Sequence, residues 1–249
     1  MPGSAPPGDL TKGHTVRRYD QELAKLRGII LEMGEHVIEQ TQAAVAALVD
    51  REESQAFRVL DREPQVDYLS LDADEEVFRV IIRRQPTAVD LRIVLALSKI
   101  AGDVERAGDK AARIARQAID LEELGKESTH LDGDLQAAFR CLDAKACCMF
   151  ERSIKAVASF DVAEAVTIFE DEPALYESSH GVRKLLSEQG QEGLIPRQTV
   201  SLLTSAHALE RIGNHASNIA EQVIYVALGQ DIRYRNREIL IETLRHRGF

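Results

Sequence analysis

The chain has 249 residues, 44% of them hydrophobic, enough apolar material for one large domain or two of ordinary size. Its formal net charge of -10 excludes a broad nucleic-acid surface and favours cations over anions as ligands, because phosphate binding needs clustered Lys and Arg. Three cysteines without a CxxC pair exclude a disulfide framework or a zinc knuckle, and no apolar run approaches the ~20 residues of a membrane span. The opening MPGSAPPGDLTKGH lacks the hydrophobic centre of a signal peptide, so a cytoplasmic, soluble protein is expected.

Residues 1–15 hold three of the seven prolines and three glycines and read as a disordered tail. From there the period is helical. Leu23, Leu26, Ile30, Met33, Val37, Thr41, Ala44 and Leu48 step by three and four and define a long amphipathic helix, closed by Asp50 to Glu53. A second helix carries Val66, Leu69, Ala73, Val77 and Val80 on one face. Pro64 is expected to start or kink it, and Gln85-Pro86 ends it, since the residue before proline is pushed out of helical geometry. The third runs from about Pro86 to Leu124 with a stripe of Ile93, Leu97, Ile100, Val104, Ala107, Ala111, Ile114 and Ala118; GKESTHLDGD then reads as a linker.

The second half repeats the plan. A fourth helix is expected over about residues 134–160, and AVTIFEDEP (165–173) in the fifth aligns without gaps on AFRVLDREP (56–64). The segment from Gly190 to Pro196 reads as a turn. The sixth helix carries Leu202, Ser205, Leu209, Ile212, Ala216, Ile219 and Val223 and ends at Gly229. Ala101 to Ile119 and Ala206 to Ile224 match at nine positions with no gap, an offset of 105 residues. The reading is an all-α protein of two tandem, similar three-helix bundles, residues 16–125 and 126–236, followed by a basic extension, 237–249. Nothing alternates with period 2, so strands are not expected.

The repeats carry paired polar residues four apart. With Val104 at the centre of the buried stripe and about 100° per residue, Glu105 lies near 100° and Asp109 near 140°, on one flank of the core. Glu63 and Asp67 form a second such pair on the second helix. Small residues, Ala101, Gly108 and Ala112, lie between the flank and the core. Carboxylates converging from two helices repel unless a cation or protons compensate, and hard oxygen ligands suit Mg, Mn, Ca or Fe, with Zn also among the candidate ions. Against this stands the ordinary solvated helix face, on which Asp109 would pair with Arg113 four residues on.

In the second copy Glu172 aligns with Glu63 and Glu210 with Glu105, but Tyr176 replaces Asp67 and Asn214 replaces Asp109, so a site there is expected to be weaker. His207, three residues before Glu210, is a candidate nitrogen ligand. Glu127-Ser-Thr-His130 and Glu177-Ser-Ser-His180 match the Glu-x-x-His of di-iron bundles, and the first falls in the linker. No phosphate-cradling glycine loop, GxSxG or HExxH occurs. A metal-dependent bundle enzyme and a metal buffer therefore remain the competing readings to a docking protein without catalysis. The arginines Arg233, Arg235, Arg237, Arg245 and Arg247 read as a basic terminus on a fraying last helix, and Cys141, Cys147 and Cys148 as small core or boundary residues.

RRQPTAVDLR (83–92), the twin ERAGD (105–109) and ERIGN (210–214), and NIAE followed by VIYVALGQDIRY (218–234) together resemble the signature segments of the PhoU family, over about residues 17–236. The resemblance implies two similar three-helix bundles, a homodimer, and a role without catalysis in which phosphate sufficiency is passed between a transporter and a sensor kinase. It implies the transporter ATPase PstB and the histidine kinase PhoR as partners. It also implies metal ligands at Glu63, Asp67, Glu105 and Asp109, with only Glu172 and Glu210 matching in the second half.

Overall fold

The computed structural model describes residues 17–124, 131–188, 195–229, 231–232 and 237–246. The expected disordered tail, and most of the linker, the turn after Gly190 and the residues around Arg233, lie outside them. Helices α1 (Arg17–Asp50), α2 (Glu53–Arg84) and α3 (Ala88–Glu123) form one antiparallel triplet, and α4 (Gly133–Ser159), α5 (Val162–Glu188) and α6 (Pro196–Leu228) a second; α7 (Arg237–His246) packs on α5. No strand occurs among the described residues, and no helix of them is long and apolar enough to cross a membrane.

Each stripe faces inward. Leu23, Ile30, Val37 and Leu48 of α1, Val66, Ala73 and Val80 of α2, and Ile93 to Ala118 of α3 are buried, as are Leu202 to Val223 of α6. Burial of this apolar area, at roughly 25 cal/mol per Å², is the main force that joins the helices. The turns repeat as well. Arg51 between α1 and α2 and Phe160 between α4 and α5 both take left-handed φ values, 60° and 53°. Gly229 ends α6 at φ 69°, a conformation glycine adopts without a Cβ penalty.

Pro64 does not start α2. The helix begins at Glu53, and Pro64 lies in its interior, as Pro173 does in α5. Ala56 and Val59 extend the buried face N-terminal to Pro64, and their packing outweighs the one backbone hydrogen bond that proline removes. Near each proline a donor from the facing helix reaches the backbone: Gln40 Nε2 donates to the Arg62 carbonyl at 3.1 Å and Lys145 Nζ to the Ala174 carbonyl at 3.2 Å.

The two triplets pack back to back and share one continuous apolar core. α1 runs antiparallel to α4, with Arg27 donating to the Ala158 carbonyl at 2.6 Å and Arg140 paired with Asp50 at 2.5 Å. α3 runs antiparallel to α6, so that Arg92 near the start of α3 lies over the Tyr225 ring near the end of α6, 6.0 Å from its centroid. α3 and α6 thus form the central seam of the molecule.

The repeated glycine of the seam helices seats an apolar side chain in each triplet, Val66 on Gly108 and Leu175 on Gly213. A methyl at Gly108 would meet Val37 and Val66 at 3.4 Å, ordinary contact, whereas at Gly213 it would run into the fully buried Leu175. Gly213→Ala is therefore expected to lose about 1–3 kcal/mol by overpacking, partly offset by ~1 kcal/mol of helix propensity, while Gly108→Ala is expected to be neutral or stabilising. Urea midpoints of the two variants check the asymmetry, and a larger loss at Gly108 contradicts it.

Candidate functional site

Three of the four first-half carboxylates converge. The antiparallel packing of α2 on α3 sets Asp67 beside Asp109 and Glu105, and their mutual repulsion adds to partial burial in raising the proton affinity of Asp67 and Glu105 above the usual carboxylate range. For both groups burial is the largest cause and the neighbouring carboxylates follow. The fourth, Glu63, also raises Asp67 by its charge while Arg116 of α3 donates to both its oxygens at 2.7 and 2.6 Å. Arg113 does not pair with Asp109; it is turned toward α6, at a different angle of α3.

This ridge has the donor chemistry of a hard-cation site, because the like charges that raise Asp67 and Glu105 are what a divalent ion would relieve. Among the described residues no three His, Cys, Asp or Glu are arranged to hold a metal together. The ridge is an electrostatic cluster open to solvent, and Glu63, though paired with Arg116, still adds to the repulsion on Asp67.

The second triplet carries the same positions with different chemistry. Tyr176 Oη donates to Asn214 Oδ1 at 3.0 Å, so the two residues that replaced Asp67 and Asp109 satisfy each other. Glu210 accepts from Ser179 and from Arg183, the latter at 2.9 Å. Glu172 is half-buried on α5. His207 is exposed and lines a pocket between α3 and α6 among arginines. The Glu177 and His180 pair is exposed on α5, not inward as a di-iron bundle requires, and Glu127 and His130 lie outside the described residues. Cys141 and Cys148 are exposed and Cys147 is buried, donating to Asp143 Oδ1 at 3.2 Å.

Two features were not expected. The first is a buried polar knot at the centre of the seam. Asp103 of α3, 6% exposed, lies 2.9 Å from His215 Nδ1 and accepts from Asn218 Nδ2 at 3.1 Å and from Arg106 at 2.8 Å. Burial alone would raise its proton affinity, but the bonds from His215, Arg106 and Asn218 outweigh it and hold the carboxyl below its usual range. Its only sequence signal is a charge at the edge of the apolar stripe.

The second is a ridge of apolar side chains that faces solvent. Phe57, Tyr68, Leu71, Phe78 and Ile82 of α2 are between 50% and 69% exposed and fall within about 80° of arc, opposite the buried face of the same helix. The acidic flank of α2 borders this stripe. Isolated exposed apolar residues are routine, whereas five aligned on one helix make a contiguous apolar patch of the kind common at interaction sites.

A family model of the PhoU domain matches residues 30–118 and 143–223, once in each triplet. A phosphate-specific transport system accessory protein PhoU homolog of a Burkholderia species is 34% identical over 230 residues, 92% of this chain and 97% of that protein. The phosphate-specific transport system accessory protein PhoU of Escherichia coli is 31% identical over 222 residues, 89% of this chain and 90% of that one. The crystal structure of PhoU from Pseudomonas aeruginosa matches with a TM-score of 0.76 at 32% identity, covering 85% of this chain and 100% of that chain.

The two kinds of carboxylate differ in sign with pH. Asp67 and Glu105 bind protons more tightly folded than unfolded, so their contribution is favourable below the ordinary carboxylate range and is lost as pH rises through the raised folded values. Asp103 behaves oppositely: it stabilises above its unfolded value, and that support is lost as pH falls through the depressed folded value. In chelator-treated protein at neutral pH, Asp67→Asn is expected to raise Tm by about 0.4–2 °C, the scale of relieving a like-charge pair of ~0.2–0.5 kcal/mol in a chain of this size. Asp103→Ala is expected to cost ~1–3 kcal/mol by orphaning His215. Thermal melts between acid and neutral pH read both effects, and a lower Tm for Asp67→Asn at neutral pH refutes the repulsion.

Proposed function

The chain belongs to the PhoU family, and from that premise we propose that it is a non-enzymatic regulator of phosphate uptake. In this reading it is an adaptor that binds the ATPase of a phosphate ABC transporter, PstB, and a sensor histidine kinase, PhoR, and holds the phosphate-starvation response down. Relatives named as accessory proteins of phosphate-specific transport support a role in regulating that transport. The observation that carries the docking part is the solvent-facing stripe of Phe57, Tyr68, Leu71, Phe78 and Ile82 on α2.

The physics of an adaptor asks little of reactive chemistry. A partner that covers the α2 stripe removes several large side chains from water at once, and such clusters dominate interface energetics. To lower kinase output the chain must bind one signalling state of the kinase better than another, since equal affinity for both shifts nothing. We further propose that the ridge of Asp67, Glu105 and Asp109 takes a divalent cation, with Glu63 joining if Arg116 releases it. A cation there would neutralise the acidic border of the stripe and so change which partner the surface accepts.

The test is retention of purified transporter ATPase and of the kinase's cytoplasmic portion on immobilised protein at micromolar concentration. Phe78→Ser with Ile82→Ser is expected to weaken the retained partner at least ~30-fold, the effect of losing hot-spot side chains worth about 2 kcal/mol, with helicity unchanged because both residues face solvent. Retention of neither protein by the unaltered chain would falsify the adaptor reading, and undiminished binding by the double variant removes α2 as its surface. For the cation, Mn or Zn is expected to raise the Tm of the chelator-treated protein and to leave Asp67→Asn with Glu105→Gln unmoved; an equal rise in both sinks the metal proposal.

A further inference from the structure

α3 and α6 flank a half-open pocket of about 290 Å³ midway along the seam, lined by Arg106, Lys110 and Arg113 from one helix and Arg211 and His215 from the other. In a chain of net charge -10 this is a local reversal of sign. Arg106 is neutralised by Asp103, but Lys110, Arg113 and Arg211 form no ion pair within 4 Å among the described residues. We propose that this pocket is a binding site for a phosphate-class oxyanion, held between the two copies of the repeated helix.

The repeat explains why the charge is left uncompensated. With the offset of 105 residues, Arg106 corresponds to Arg211, Lys110 to His215, Arg113 to Asn218 and Asp103 to Ala208. The antiparallel seam therefore presents the same turn of both copies to one cavity. His215 has a buried acid beside it, because Asp103 stands across the seam. Lys110 is the matching residue in the other copy, and the acid position that would serve it is Ala208, also on the pocket wall. The negative charge that Asp103 places beside His215 has no counterpart beside Lys110, and an anion in the pocket supplies it.

A second, independent feature points to a ligand. His215 is 2% exposed, its Nδ1 is spent on Asp103, and its Nε2 is buried without a hydrogen-bond partner among the described residues. A buried polar atom of this kind costs about 1–3 kcal/mol unless something bonds it. When the ring is neutral and its Nδ1–H is donated to the ionised Asp103, Nε2 is an acceptor. Hydrogen phosphate supplies the matching O–H, while its remaining oxygens suit the planar forks of Arg113 and Arg211 and the point charge of Lys110. Sulfate has no O–H at neutral pH and lacks this last bond. The volume lies at the lower edge of the ~300–1,000 Å³ of small-molecule sites, which suits a single phosphate or a small monoester.

This inference rests on the seam alone and not on partner docking, so either can fail without the other. The full-length protein is titrated calorimetrically with inorganic phosphate, sulfate and O-phosphoserine, with Arg113→Ala, Arg211→Ala and His215→Gln as variants and Arg58→Ala, on the outer part of α2, as a charge-matched control. Phosphate is expected to bind at a single site at least tenfold more tightly than sulfate, and each seam variant to weaken it tenfold or more while Arg58→Ala leaves it unchanged. Because Arg113 and Arg211 are exposed, their loss leaves the fold intact even if His215→Gln does not. Tighter binding of inorganic phosphate identifies the free ion as ligand, and tighter binding of O-phosphoserine a phosphoryl group on a larger molecule. No saturable binding of either, an equal affinity for sulfate, or an equal loss in Arg58→Ala overturns the proposal.

Discussion

Where α3 crosses α6, a carboxylate has been taken out of water, and the arrangement of the whole molecule answers to that fact. Asp103 stays ionised because His215 and Asn218 reach it from the opposite triplet and Arg106 from its own helix. Removing a charge from water costs several kcal/mol unless partners repay it, so the two triplets are held at the one relative placement that brings all three donors to the same oxygen. Apolar packing along the seam is less demanding. Ala107, Ala111, Leu209 and Ile212 would tolerate small slides that the polar knot does not.

The duplicated unit has diverged in a patterned way. In the first triplet the α2 and α3 positions that face each other are Asp67 and Asp109, which repel; in the second they are Tyr176 and Asn214, which bond. The two together form a neutral hydrogen-bonded pair. At the seam the copies differ as well: Asp103 stands opposite His215, and Ala208 is the matching residue on the pocket wall with Lys110. One triplet thus carries unrelieved negative charge on its outer flank, and the seam carries unrelieved positive charge at its centre.

Helix positions, their buried stripes and the duplication were legible because each is a periodic property of many residues, and no single substitution hides it. Of the two roles expected of Pro64, starting α2 was wrong for a related reason: a breaker residue was weighed alone, while the buried Ala56 and Val59 before it carried the helix through. The acidic flank was legible from spacing, but Glu63 was not seen to be tied to Arg116, since that partner lies 53 residues away on another helix. The α2 stripe escaped because only one of that helix's two apolar faces was taken as meaningful. The seam knot escaped because Asp103 and His215 are 112 residues apart, and their pairing follows only from the antiparallel crossing.

α3 is the element on which these features meet. Its acidic flank holds Glu105 and Asp109, and within roughly a quarter turn of it Arg106, Lys110 and Arg113 line the seam. The flanks are not electrically independent. Burial, Asp109 and Asp67 raise the proton affinity of Glu105, while Arg106 and Lys110 lower it. An anion between α3 and α6 would screen those two cations from Glu105 and leave the acidic flank more repulsive, which strengthens its attraction for a cation or a proton. Linkage makes the effect reciprocal: whatever neutralises the ridge leaves the cations of the seam freer to hold an anion. A single rigid helix can therefore relate the state of a central pocket to the charge that borders an exposed apolar surface, with no movement of its backbone.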